Sequence, residues 1–146
     1  MKSNPSVLVL GLGASAALAA NFSNSCDAAS IKVSGNILTA TCSTIFGQPK
    51  CSKLDLDKCI KNEGGTLRAD PSGTGPHLGD QCVECTNDQL DDGSVIGGQP
   101  SFISCKCNPG TGAAQVDWPT AIFDLNTIVD NHNGMLECYR TQSTEC

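Results

Sequence analysis

Aromatic side chains are scarce in this sequence: one Trp, one Tyr and four Phe among 146 residues. Such rings carry much of the apolar area of a large core, so the chain is limited to one compact domain. Basic residues are few as well, nine Lys and Arg against fifteen Asp and Glu, for a formal net charge of −6. The acidic residues are spread through both halves. That favours solubility and leaves no one-sided Lys/Arg face of the kind nucleic acid or an anionic membrane needs. Histidine occurs only at His77 and His132, neither in a nucleophile motif. Asp91 and Asp92 pair two carboxylates, but neighbours in a polar turn have no reason to face each other across a sugar. Enzymatic activity is therefore not expected.

Long hydrophobic runs are also missing. The opening MKSNPSVLVLGLGASAALAA has one Lys, an apolar run only from Val7 to Leu12, and the small-residue ending Ala17-Leu18-Ala19. A run this short, rich in Gly, Ala and Ser and without a charged flank, does not span a membrane but suits a signal peptide. Residues 1–19 are read as that leader, cut after Ala19 or one residue later, and the mature chain as secreted. Losing Lys2 takes the charge to −6 − 1 = −7. Asn21-Phe22-Ser23 is then a glycosylation sequon two residues past the cut.

What the sequence has in excess is cysteine, ten residues: Cys26, Cys42, Cys51, Cys59, Cys82, Cys85, Cys105, Cys107, Cys138 and Cys146. An even number in a short secreted chain reads as five disulfides. Zinc competes through Cys82-x-x-Cys85 and Cys105-x-Cys107, but the second spacing is wrong for a zinc ribbon, so no metal and no cofactor are expected. Bridges closing loops of about fifteen residues contribute about 3 kcal/mol each, enough for a modest core to suffice.

The chain also repeats itself. LDLDKCIKNEGGTL at 54–67 returns as FDLNTIVDNHNGML at 123–136, an offset of 123 − 54 = 69. The offset aligns Asp55 with Asp124, Leu56 with Leu125, Ile60 with Val129, Asn62 with Asn131, Gly65 with Gly134 and Leu67 with Leu136. Upstream, NFSNSC and ILTATC in the first half answer LGDQC, VECTNDQL and FISCKC in the second, the order expected of a duplication.

The segments are short and β-branched. Ile31 to Thr41 reads as a hairpin around Ser34-Gly35-Asn36. LDLDKCI and FDLNTIV each suit one helical turn, capped by Asp57 or Asn126. Asn62-Glu63-Gly64-Gly65 and Asn131-His132-Asn133-Gly134 are tight hairpin turns. Residues 70–79, DPSGTGPHLG, form a linker without an element of its own, and His77 within it is a solvated side chain. Trp118, in the insertion at 107–120, packs over the core in preference to serving as an exposed sugar platform.

The tandem order FSxxC, LTATC, LDLDxxIxN and GGTL, followed by a second, degenerate copy, resembles the cyanovirin-N homology family from about Phe22 to Tyr139. That resemblance implies an all-β, pseudo-symmetric fold in which each repeat supplies a three-stranded sheet and a hairpin, the hairpins being exchanged. It makes residues 20–146 a single domain: a first repeat at about 21–69, the linker, and a second repeat at about 80–140. It further implies a lectin for mannose-rich oligosaccharides or glycoproteins, with one shallow site near each end.

Carried over residue by residue, the first site comprises Asn24, Ser25, Ser43, Thr44, Asn131 and Asn133. The second comprises Lys61, Asn62, Glu63, Gly64, Asp80, Gln81, Asn108 and Thr111. Gly64 stands where the family has an acidic side chain, which puts this second site in doubt. Turn propensity alone also accounts for many of these Asn, Asp and Ser residues. The family's bridges carry over as Cys26 to Cys42 and a second one ending at Cys107. LGDQC against FSNSC favours Cys82 as its partner, whereas the step from Cys85 to Leu90 against Cys26 to Ile31 favours Cys85, which is preferred. The pairing of Cys51, Cys59, Cys82, Cys105, Cys138 and Cys146 stays open. The resemblance allows exchange of halves between chains, but a ten-residue linker permits closure within one and favours a monomer. The alternative to a lectin is a secreted, disulfide-rich inhibitor or effector that contacts another protein on a scaffold that has lost its sugar sites.

Overall fold

In a computed structural model, residues 20–87 and 99–146 are described; the predicted leader at 1–19, Leu90 and the pair Asp91 and Asp92 lie outside them. Twelve strands form among the described residues. The first sheet contains β1 (Lys32–Ser34), β2 (Ile37–Ser43) and β3 (Pro49–Asp55), and the hairpin β4 (Ile60–Glu63) with β5 (Thr66–Ala69) follows. The second sheet contains β6 (Cys82–Thr86), β7 (Phe102–Cys107) and β8 (Thr120–Asp124), followed by the hairpin β9 (Val129–His132) with β10 (Met135–Cys138). Two short C-terminal strands, β11 (Thr141–Gln142) and β12 (Thr144–Glu145), join β10 and the outer edge of β3.

Each hairpin leaves its own repeat. The β4–β5 hairpin packs on β8, and the β9–β10 hairpin packs on β3. The all-β, hairpin-exchanged architecture implied by the resemblance is the one observed. Aligned positions of the two repeats fill one shared core: Leu56 and Leu125, Ile60 and Val129, and Leu67 and Leu136 are all buried. The same equivalence extends upstream, where Phe22 and Leu78 are fully buried, each at the start of one helical turn, Phe22–Asn24 and Leu78–Gln81. A buried amide joins the repeats: Asn87 accepts from the Val33 N–H and donates to the carbonyls of Ile31 and Pro100.

The turn chemistry follows the sequence. Glu63 pairs with Thr66 and His132 with Met135, so each hairpin closes through two residues, both at positive φ: Gly64 and Gly65, then Asn133 and Gly134. Gly134 is required twice over, because at φ 85° a Cβ would also come within 2.8 Å of Lys50 Cβ and 3.0 Å of Thr44 Cγ2.

Two local expectations need correction. The helical turns Leu56–Lys58 and Leu125–Thr127 are capped by Asp55 and Asp124, whose carboxylates accept from the N–H groups of Asp57 and Asn126. The cap is the residue that leaves the strand with extended φ/ψ, two positions ahead of the N–H it accepts. The linker also has structure. Pro76 accepts from the Asn62 N–H, His77 bridges Lys61 on the edge of β4, and residues 78 and 79 belong to the turn Leu78–Gln81.

All ten cysteines are paired: Cys26 with Cys42, Cys51 with Cys146, Cys59 with Cys138, Cys82 with Cys107 and Cys85 with Cys105. Cys107 therefore bonds Cys82, not Cys85. Two cysteines three apart on β6 face two that are two apart on β7, and one extra residue must be absorbed. Glu84, at φ 53°, is that bulge: the register passes from Val83 opposite Lys106 to Thr86 opposite Ser104, which places Cys85 against Cys105.

The linker's anchor is Asp70, whose backbone N–H reaches the Cys59 carbonyl and whose buried carboxylate takes hydrogen bonds from the Ser72 hydroxyl and the Gly75 N–H. These bonds, the Ser72 hydroxyl foremost, and the nearby Lys61 charge hold its carboxyl below the usual carboxylate range, against the opposing effect of burial. A folded-state pKa below the unfolded one contributes stability that is full above the unfolded pKa and is lost as pH falls through the lowered value. Urea unfolding of the wild type and Asp70→Asn should thus differ most near neutral pH and converge in strong acid; a gap that widens on acidification would show the sign to be wrong.

Candidate functional site

The first end is built where the β9–β10 turn meets the segments flanking the Cys26–Cys42 bridge. Asn131 is fixed on three sides. Its Oδ1 accepts from the Gly134 N–H at 2.7 Å, while its Nδ2 donates to Ser25 Oγ at 3.0 Å and to the Ser43 carbonyl at 2.9 Å. The Ser43 N–H in turn donates to the Ser25 carbonyl at 2.8 Å. Asn133 reaches the next loop, accepting from the Ile45 N–H at 3.0 Å. That loop is a tight turn, with Thr44 N–H bonded to the Gln48 carbonyl, Gly47 N–H to the Thr44 carbonyl, and Gln48 N–H to Thr44 Oγ1.

The structure thus brings Ser25, Ser43, Thr44, Asn131 and Asn133 together, with Asn24 exposed next to Ser25. Their roles separate on hydrogen-bond capacity. Asn131 spends both amide protons on the protein, so it braces the cluster. The Asn24 side-chain amide, the Ser43 hydroxyl and Asn133 Nδ2 have no protein partner among the described residues, and they present donors and acceptors to solvent.

The geometry adds two residues that sequence reasoning passed over. Ile45 and Phe46 crown the tight turn at 77% and 83% exposure. Two large apolar residues directly before Gly47 in an otherwise polar loop were the available signal. Asn21 is exposed at the start of this end, one residue before the buried Phe22.

The second end reproduces the brace. Asn62 Oδ1 accepts from the Gly65 N–H at 2.9 Å, Asn62 Nδ2 donates to the Asn108 carbonyl at 2.7 Å, and the Asn108 N–H donates to the Gln81 carbonyl at 2.8 Å. Its surroundings differ. The linker runs along the edge of β4, and Asn62 is only 5% exposed. Lys61 packs over Gly75, leaving a Cβ there no closer room than 2.6 Å from Lys61 Cδ. Glu63 pairs with Arg68, Asn108 Oδ1 is taken by the Gly110 N–H, and Gly64 offers no side chain. Asp80 and Thr111 are exposed, and their side chains make no hydrogen bond among the described residues. Trp118 is half-buried outside the core, its Nε1 donating to the Ala113 carbonyl, so it holds its own loop. His77 is likewise half-buried, with Nδ1 3.2 Å from the Asp57 carbonyl.

Two exchanged hairpins, each presenting an Asn-braced turn to the other repeat's disulfide-linked segments, define the class: a disulfide-rich β-domain of tandem-repeat build with a polar turn cluster at each end. The CVNH domain family matches residues 22–137, and the chain belongs to that family. Its fold resembles the CVNH protein of Gibberella zeae at 25% identity, covering 82% of this chain and 98% of that one with a TM-score of 0.60. It also resembles microvirin, solved in complex with mannobiose, at 26% identity, 81% and 97% coverage and a TM-score of 0.56. A MoCVNH3 variant solved with (N-GlcNAc)4 shares the fold at 18% identity, 82% and 97% coverage and a TM-score of 0.62. None of the curated protein sequences matches this chain.

Proposed function

We propose that the protein is a secreted, non-enzymatic lectin for mannose-containing oligosaccharides and that it binds them at the first end. One observation carries the reading: free polar groups of Asn24, Ser43 and Asn133 stand on turns already fixed by Asn131, by the Cys26–Cys42 bridge and by the tethered loop at 44–48. Sugar hydroxyls are recognised by directional hydrogen bonds of about 1 kcal/mol net each, so ordering a loose loop would consume most of the gain. Pre-set turns avoid that cost. The mannobiose complex of microvirin, 26% identical, supports mannose as the sugar. Pairing of all ten cysteines supports an oxidising, secretory route. The second end, with its Asn buried under the linker and Gly64 bare, is not the working site.

Titrating mannobiose into isotope-labelled protein should shift the amides of residues 22–25, 43–46 and 131–134, with a Kd in the micromolar to millimolar range, roughly, for a few such contacts. Shifts confined to 61–64 and 108–111 would reverse the assignment of ends. A glycan array that stays blank would favour the protein-contact reading, to which exposed Ile45 and Phe46 lend a specific feature.

A further inference from the structure

The Cys59–Cys138 bridge does more than join the repeats, because each cysteine delivers its neighbour to one wall of a groove of about 630 Å³. Lys58 comes from one side, Ser72 and Gly73 from the linker, and Tyr139, Arg140 and Thr141 from the turn between β10 and β11. Three segments distant in sequence are thereby held by a covalent link and by the hydrogen bond from the Asp70 N–H to the Cys59 carbonyl. The groove belongs to neither end described above.

Its chemistry is unlike theirs. In a chain of net charge −6, Lys58 and Arg140 stand exposed at one groove and make no ion pair or side-chain hydrogen bond among the described residues. Among the described residues no carboxylate lines the groove; Asp70, whose charge reaches Tyr139, is buried and stays ionised under the hydrogen bonds from Ser72 and Gly75, so with Lys58 and Arg140 the formal balance is 2 − 1 = +1. Tyr139 is 38% exposed and sits at φ 53°, at the first position of a two-residue turn where glycine is preferred. A ring placed where the backbone disfavours any side chain is a functional pointer. The volume suits one or two sugar rings, with an aromatic face and the Thr141 hydroxyl beside two cations.

We propose that this groove binds an acidic saccharide, a pyranose whose carboxylate or sulfate is held by Lys58 and Arg140 while Tyr139 lies against the ring. The site stands independently of the mannose reading. The test is amide titration of the oxidised, isotope-labelled protein with digalacturonic acid, a sulfated galactose and neutral galactobiose. The acidic probes should shift Lys58, Ser72, Gly73, Tyr139 and Arg140, less so in high salt, and galactobiose should not. Shifts from the carboxylated or the sulfated probe alone would each support the site and identify the acid. Lys58→Gln with Arg140→Gln should weaken binding about a hundredfold, about tenfold per charge-assisted contact, and leave the mannobiose-induced shifts at 131–134 unchanged. Tyr139→Gly separates binding from folding: it should raise the thermal midpoint by relieving the backbone while weakening acidic-sugar binding about tenfold. Equal shifts from the neutral probe, unchanged affinity in the Gln variant, or silence with all three probes would overturn the proposal.

Discussion

Alanine at Cys51, Cys59, Cys138 and Cys146 together is expected to cost about 7 kcal/mol, more than the two single-bridge removals added together. The reason is nested loops. With Cys51–Cys146 intact, breaking Cys59–Cys138 opens a circuit of only (59 − 51) + (146 − 138) = 16 residues, and the converse removal opens the same one. Each single removal should therefore cost about 3 kcal/mol. With both gone, the next-shortest path from 59 to 138 runs through Cys82–Cys107, (82 − 59) + (138 − 107) = 54 residues, which adds about 4 kcal/mol to the 3. Since small domains are stable by about 5–15 kcal/mol, the quadruple variant should be largely unfolded or nearly so. Urea denaturation of the three variants decides; strict additivity would mean that the two bridges restrict the unfolded chain independently.

Asn131→Ala is expected to abolish mannobiose binding, and Asn133→Ala to weaken it about tenfold, a difference that follows from what each amide does. Asn131 ties Gly134, Ser25 and Ser43 into one frame, so its loss frees the turn and every group set upon it. Asn133 keeps Nδ2 for a ligand, and its loss removes one direct contact worth about 1 kcal/mol together with the tether to Ile45. Asn131→Ala should also lower stability by about 1–3 kcal/mol, within what a five-bridge domain withstands. Full binding by Asn131→Ala in a folded protein would remove the first end from consideration.

Much of this was legible in the sequence, for identifiable reasons. The duplication showed because both repeats fill one core with matched residues, such as Leu56 and Leu125, and close both hairpins with Gly at a position of positive φ. The Cys82–Cys107 pairing was misread because a β-bulge costs one residue of register, and nothing in VECTN marks Glu84 as the residue that takes it. The helix caps were misplaced by two positions, since Asp55 and Asp57 are chemically equivalent and only the backbone distinguishes them. The covering of β4 by the linker was invisible because it rests on main-chain bonds, to which side-chain identity is nearly indifferent. At the first end the residue types were legible but not their division of labour. Whether an amide braces or presents depends on which of its protons are already spent.

The bridges Cys51–Cys146 and Cys59–Cys138 both run from one repeat to the other, across the linker of residues 70–79. Once they have formed, peptide continuity between the halves is redundant. Pro71, Ser72, Thr74 and Pro76 are exposed, and a protease that nicks the chain there produces two fragments that stay one particle, each still lending its hairpin to the other. Both ends would survive the cut, while the groove beside Ser72 and Gly73 would lose the continuity of one wall. Only a reductant would let the two pieces separate.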